Sequence, residues 1–210
     1  SYLRQLAAAG IPIMPTAWLA RGEGEPLSRL VAQRGWHDIV VKPTVSGGAW
    51  KTWRVAAPLT AADDCQFDAV RRERDLMVQP FEPAIASVGE LSLVFLGGAF
   101  SHAVLKRPAA GDFRVQEEAG GSSEAVQVDA SLIAQASRAL DAAPTPCLYA
   151  RVDGCLVEGR FVLLELEVLE PSLFLAHAPG AAARLAAAIS QCVGGNVASN
   201  GPVRGNATTR

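Results

Sequence analysis

The sequence predicts an α+β fold built from antiparallel hairpins with amphipathic helices between them. Two stretches carry that prediction. Residues 148–152 and 160–169 are rich in Val, Leu and Phe and are joined by the turn-like Val157-Glu158-Gly159-Arg160, which reads as one hairpin. Residues 90–95 and 99–105 flank Leu96-Gly97-Gly98, which reads as another. Between them Leu132, Ile133, Ala136 and Leu140 recur at helical spacing over 131–142, behind Asp129 or Ser131 as a cap. At 210 residues the chain can bury a sizeable core, as one domain or as two small lobes.

Taken from the start, residues 2–9 form a short helix stopped by Gly10, and residues 11–19 continue as an extended apolar run. Pro26 opens a second helix with Leu27, Leu30 and Val31 inward, ending near Gly35. Residues 36–43 read as a buried strand with Lys42 at its exit. A small-residue loop over 44–52 then leads to a strand at 53–56. Gly47 and Gly48 let backbone N–H groups wrap a phosphate and Ser46 adds a donor, although a plain hairpin also explains the loop. It is not a Walker A loop, because GxxxxGK[ST] is absent. Residues 61–75 form a polar helix with Phe67 and Val70 inward, and 76–81 a strand running into a proline break at Pro80, where backbone groups are left free for a ligand. Residues 111–122 read as an exposed polar loop with Arg114 as its only cation. An Ala-rich helix over 180–193 closes the chain, and 194–210 lack a core pattern and read as a disordered tail.

Composition excludes several classes. A net charge of -2 provides no basic field to recruit nucleic acid or a membrane surface. No apolar run approaches the roughly 20 residues of a membrane helix and the start does not resemble a signal peptide, so a cytoplasmic protein is expected. Cys65, Cys147, Cys155 and Cys192 show no CxxC pairing and no partnered histidine spacing, which disfavours zinc and disulfide frameworks. The only lysines are Lys42, Lys51 and Lys106, so their positions are informative. The chain opens inside a helical pattern without an initiator methionine, which reads as a fragment of something longer.

Chemistry concentrates in residues 149–174. With the two-residue period of a strand, Phe161, Leu163, Glu165, Glu167 and Leu169 are expected to share one face. Glu165 and Glu167 then stand side by side, repel one another and want a cation. Oxygen ligands suit a hard ion such as Mg²⁺, and Asp153, just after the preceding strand, is the candidate for a third carboxylate. A solvated face paired with arginines is the alternative. In the 90–105 hairpin, Glu90 at one end and Lys106-Arg107 at the other are brought together by antiparallel pairing.

The order of parts VVKP with SGGAWKT, MVQPF, GELSLVFLGGAFSHAVLKRP, DFRVQEEAGGS, and YARVDG with LLELEVLEP resembles the ATP-grasp superfamily, in its glutathione-synthetase-like and ribosomal-protein-modifying branch. ELEVLEP and GAFSHAV are most similar to a subgroup that includes the cyclo-ligase of cycloserine biosynthesis. The resemblance implies two α+β lobes holding ATP between antiparallel sheets, expected over 1–75 and 76–193, with an N-terminal substrate domain absent. It implies Lys42 on the α- and β-phosphates, Ser46, Gly47 and Gly48 as the lid, and Gln79, Pro80 and Phe81 as the backbone hinge for adenine. Glu90 falls on the ribose, Lys106 or Arg107 near the phosphates, and Arg151 on the transferring phosphoryl group. Asp153, Glu165 and Glu167 fall on two Mg²⁺ ions, or Mn²⁺ in their place, and Arg114 on the acylphosphate or oxyanion. The implied activity is an ATP-dependent carboxylate–amine ligase acting on small molecules through an acylphosphate, in a family where dimers are common. A phosphotransferase and a non-catalytic nucleotide-binding fragment are the alternatives. Many relatives carry asparagine where Glu167 stands, which makes this site the more acidic.

Overall fold

The computed structural model describes residues 2–143 and 146–199. Its strands form two antiparallel sheets. The first has the order β1 (Ala17–Leu19), β4 (Leu76–Pro80), β2 (Asp38–Pro43), β3 (Trp53–Ala56). One face is covered by α2 (Leu27–Arg34) and α3 (Ala61–Arg71), whose Leu27, Leu30, Val31, Phe67 and Val70 pack on Ile39, Val41 and Val78. Helix α2 ends at Gly35, whose left-handed φ of 65° lets its N–H cap the last turn. Helix α3 starts in a reciprocal capping box between Thr60 and Asp63. Strand alternation turns Val40 and Lys42 of β2 to the opposite face, with Gln79 and Met77 as their partners on β4.

The second sheet has the order β7 (Ser122–Val126), β6 (Ala99–Arg107), β5 (Glu90–Leu96), β8 (Tyr149–Val157), β9 (Arg160–Glu167). Its core face is covered by α5 (Ala130–Asp141), started by an Asp129 carboxylate that accepts from the Leu132 N–H, and by α1 (Tyr2–Ala8). Leu3, Leu6, Leu132 and Ala136 share that core with Leu93, Phe95, Val152, Phe161 and Leu163. The short α4 (Pro83–Ser87) lies beside β8. The closing helix α6 spans Ala181–Ser199. No helix among the described residues is long and apolar enough to cross a membrane.

Three expectations change. The lobe boundary expected after residue 75 falls elsewhere, because β4 pairs with both β1 and β2 of the first sheet while α1 packs on the second. Both shifts follow from hydrophobic patterning, since the apolar faces of β4 and α1 are completed by different cores. The 111–122 loop leads into a strand, β7, that pairs Ser123 with Lys106. Helix α6 runs through 194–199, into the stretch read as a disordered tail, because a glycine costs a helix only about 1 kcal/mol and no proline intervenes before Pro202; residues 200–210 lie outside the described residues.

The chain therefore crosses between lobes twice, at 14–16 before β1 and at 81–82 after β4. The Gln79 amide donates to Thr16 Oγ1 at 2.9 Å and ties the two crossings together.

Candidate active site

A β-bulge decides which side chains reach the cleft. Across β8 and β9, Arg151 opposes Glu167 and Asp153 opposes Glu165, but Gly154 opposes Leu163, so Leu164 is an extra residue. The expectation that Phe161, Leu163, Glu165 and Glu167 share a face is thereby corrected. Phe161 and Leu163 enter the core before the bulge, and Leu166 and Val168 pack against it afterwards, so Glu165 and Glu167 project to the opposite side. Leu169 lies past the strand and is 84% exposed. Without the shift both glutamates would enter an apolar core, where an unpaired carboxylate is strongly disfavoured.

The same face receives Glu90 and Ser92 from β5 and Lys106 from β6, with Glu90 opposite Lys106 and Ser92 opposite Asp153. Glycines on the neighbouring backbone make room. A Cβ at Gly154 would stand 2.4 Å from the Phe161 ring, and one at Gly89, where φ is 120°, would stand 2.6 Å from the Lys106 carbonyl oxygen.

Asp153 is 1% exposed and saturated with donors. Ser92 Oγ donates to Oδ1 at 2.6 Å, Arg151 donates through Nε and Nη2 at 2.9–3.0 Å, and Lys106 Nζ lies 3.4 Å from Oδ2. Burial opposes its charge, but Lys106, Arg151 and Ser92 outweigh burial and hold the carboxyl below its ordinary value. Lys106 also sits 2.6 Å from Glu90 Oε1. Burial works against its ammonium as well, and Asp153 and Glu90 reverse the sign and raise it. Arg151 pairs with Glu167 besides, and its Nη1 donates to the Ser172 carbonyl at 3.2 Å. The segment carrying Ser172 is further held where His102 Nε2 donates to the Leu173 carbonyl at 3.0 Å.

Glu165 is the exception. Among the described residues it has no hydrogen-bond or ion-pair partner, and its side chain is exposed to the cleft with protein packed around its base. Desolvation by that packing, with repulsion from Asp153, Glu167 and Glu90, raises its carboxyl against the opposing pull of Lys42. Among the described residues no three acidic, histidine or cysteine side chains close on a common point, so the expected triad is not assembled as one cage. Asp153 faces its own donors and Glu167 faces Arg151. The donor set nonetheless suits a hard cation: two oxygen-bearing side chains at the cleft, one of them uncompensated, backed by a third that is firmly anchored.

Lys42 reaches the cleft from the first lobe and has no ion-pair partner among the described residues. Burial lowers its ammonium, with Glu165 and Glu90 resisting. The expected lid is an exposed turn in which Ser46 Oγ donates to the Trp50 carbonyl at 2.8 Å. Gly48 and Ala49 face Arg114 and Gln116 across a cavity of about 120 Å³. A larger hollow of about 490 Å³ lies at the root of the lid, lined by Thr44, Val45, Arg74 and Asp75, apart from Asp153, Glu165 and Glu167.

Arg114 therefore meets the lid rather than the carboxylates. It pairs with Asp112, Nη2 to Oδ2 at 2.8 Å, and this contact holds the Asp112 carboxyl well below its usual range. Two further expectations are corrected. Arg107 turns to the other face and pairs with Glu124, because neighbours on a strand alternate, which leaves Lys106 as the cation of that pair at the site. The backbone of Gln79, Pro80 and Phe81 is not a free hinge, since Phe81 N–H donates to the Asp38 carbonyl at 2.8 Å and Pro80 has no N–H. Phe81 contributes its ring, with the Arg54 guanidinium 3.6 Å from its centroid and Phe113 edge-on at 6.4 Å. The following Glu82 N–H has no partner among the described residues.

Sequence reasoning missed Ser92, whose place two residues from Glu90 was the available signal, and Ser172, which contributes only a carbonyl and leaves no signal in side-chain chemistry.

No family model matches the chain. It is 30% identical over 209 residues to the cycloserine biosynthesis protein DcsG of Streptomyces lavendulae, with 90% of this chain and 68% of that protein covered. The crystal structure of the D-cycloserine synthetase DcsG superposes with a TM-score of 0.79 at 27% identity, over 91% of this chain and 69% of that one. A D-alanine–D-alanine ligase from Bacillus anthracis shares the fold at a TM-score of 0.70 and 19% identity, over 95% and 68% of the two chains. So does the ATP-grasp ligase PsnB, solved with Mg and ADP, at 0.64 and 19%, over 90% and 56%.

Proposed function

The chain belongs to the ATP-grasp ligases, near the cycloserine-forming subgroup, and from that premise we propose that it joins a small-molecule carboxylate to an amine through an acylphosphate, with Mg·ATP. A carboxylate oxygen attacks the γ-phosphorus and ADP leaves. The amine nitrogen then attacks the acyl carbon, inorganic phosphate leaves, and the amine proton passes to solvent.

Such a reaction asks the protein for positioning and for cancellation of charge. Lys42 neutralises the polyphosphate from the first lobe. Glu165 and Glu167 are the residues that would hold Mg²⁺, which supplies charge neutralisation at the transferring phosphoryl group. Asp153 anchors Lys106 and Arg151, so that Arg151 faces the cleft without needing a ligand to orient it. Arg114, beside the lid, stabilises the oxyanion, a role worth about 10² to 10³ in rate at comparable donors.

The carrying observation is the pair Lys42 and Glu165, a cation and a carboxylate on opposite lobes, neither with a contact partner among the described residues. A polyanion with its metal satisfies both. Calorimetric titration with a non-hydrolysable ATP analogue, with Mg²⁺ and then with EDTA, tests it. Magnesium-dependent binding is expected in the parent chain and its loss in Glu165→Gln, with folding intact because the substitution removes a repelled charge. Equal Mg·nucleotide affinity in that variant would falsify the assignment. Phosphate release that requires both a carboxylate and an amine separates ligation from phosphoryl transfer to a stable product.

A further inference from the structure

We propose that Tyr2 is a positioning residue for the two glutamates of β9, a role that rests on reading Glu165 and Glu167 as the cation-facing carboxylates. Strand β9 is the edge of its sheet, so the N–H groups on its outer side have no strand to pair with. Gln135 of α5 accepts from the Phe161 N–H at 3.1 Å, and two contacts from the N-terminal segment cover the next ones along the edge. Leu163 N–H donates to the Pro12 carbonyl at 2.9 Å, and Leu166 N–H donates to the Tyr2 phenol oxygen at 3.2 Å. These two residues straddle the extra residue Leu164, one brace on each side of the bulge. In an unbroken strand the outward amides would be two apart, whereas here they are three apart, which is the bulge read along the edge.

Leu166 lies between Glu165 and Glu167 in sequence, so its backbone sets the direction of both side chains. The brace is stiff because α1 is anchored by Leu3 and Leu6, 1% and 3% exposed in the second core. Tyr2 also lies in the field of the carboxylates. The ring is partly exposed, and the protein packed around its phenol, followed by Glu165 and with Asp153 and Glu167 adding, raises it, so it stays protonated and its oxygen remains a neutral acceptor. A phenol suits this position because it accepts an amide proton without adding a charge beside three acids.

Tyr2→Phe keeps the ring and removes the acceptor. Measured on the full chain, the Mg²⁺ concentration for half-maximal binding of a non-hydrolysable ATP analogue is expected to rise about tenfold, the lower end for groups that orient metal ligands. Nucleotide binding in EDTA stays within twofold. Exchange of the Leu166 amide quickens while that of Leu163 does not. The double variant with Glu165→Gln shows less than the sum of the two single effects, since residues acting through one site are not additive. An unchanged Mg²⁺ midpoint in Tyr2→Phe, beside a clear shift in Glu165→Gln, overturns the role of Tyr2 and leaves the site reading intact. No shift in either variant overturns both.

Discussion

The two lobes meet the cleft with opposite electrostatic arrangements. On the second, Asp153, Glu90, Lys106, Arg151 and Glu167 pair among themselves, each with a partner within 3.4 Å, and Glu165 alone stands outside that network at its rim. On the first, the Arg54–Asp38 pair is closed on itself, and Lys42 is left without a contact partner among the described residues. A network that is internally satisfied holds its geometry in the absence of ligand, whereas a lone desolvated ammonium awaits one. The second lobe is thus the preorganised half of the site and the first the responsive half.

The strongest way to break that contrast is Asp153→Asn, which strips two nearly buried cations of a shared anion. Loss of about 3–5 kcal/mol of stability is expected, the range for removing one member of a buried ion pair, read by urea unfolding. A loss under about 1 kcal/mol would mean that Glu90 and Glu167 suffice and the network is not organised around Asp153. Lys42→Ala comes next and acts on the responsive half: ATP and ADP should weaken by about 30-fold, equivalent to roughly 2 kcal/mol, with adenosine unaffected and stability preserved. Equal weakening of adenosine would place Lys42 away from the phosphates.

A smaller effect follows from pH. Because the Lys42 ammonium is lowered, its proton is lost at a lower pH than from an ordinary lysine, so nucleotide affinity should begin to fall on the alkaline side before free lysine titrates. Lys42→Arg, which stays charged, should abolish that limb, and its persistence would assign it to another group. Smallest is Phe113→Leu. It removes an edge-on contact to Phe81, the ring that Arg54 of the first lobe covers from another side, and should cost about 1 kcal/mol in thermal unfolding with nucleotide affinity retained.

Both hairpins and the main helices were legible in the sequence because turn glycines and alternating apolar residues act over a few positions. The face of Glu165 and Glu167 was not, since a bulge shifts the period without leaving a mark such as glycine or proline at Leu164. The lobe of α1 was not legible either, because Leu3 and Leu6 show that a face is buried and not which core receives it. Asp153 carried the signal of an acid after a strand, but its four surrounding donor groups come from Ser92, Lys106 and Arg151, brought near only by sheet register. Phe81 was expected to contribute backbone and contributes a ring, since a free N–H cannot be told from one bonded to a carbonyl 43 residues away, at Asp38.

The paired crossings at 14–16 and 81–82, clasped by Thr16 and Gln79, have a mechanical consequence. A body joined to another by a single thread can tumble in any direction, but one joined by two adjacent threads behaves as a door on a pin. Two threads side by side resist twisting and sliding, because either would strain one against the other. Here the pin is also packed, since Met77 of β4 and Trp18 of β1 reach into the second core and Arg4 lies over the Trp18 ring, so the clasp fixes the edge along which Lys42 and Glu165 face one another.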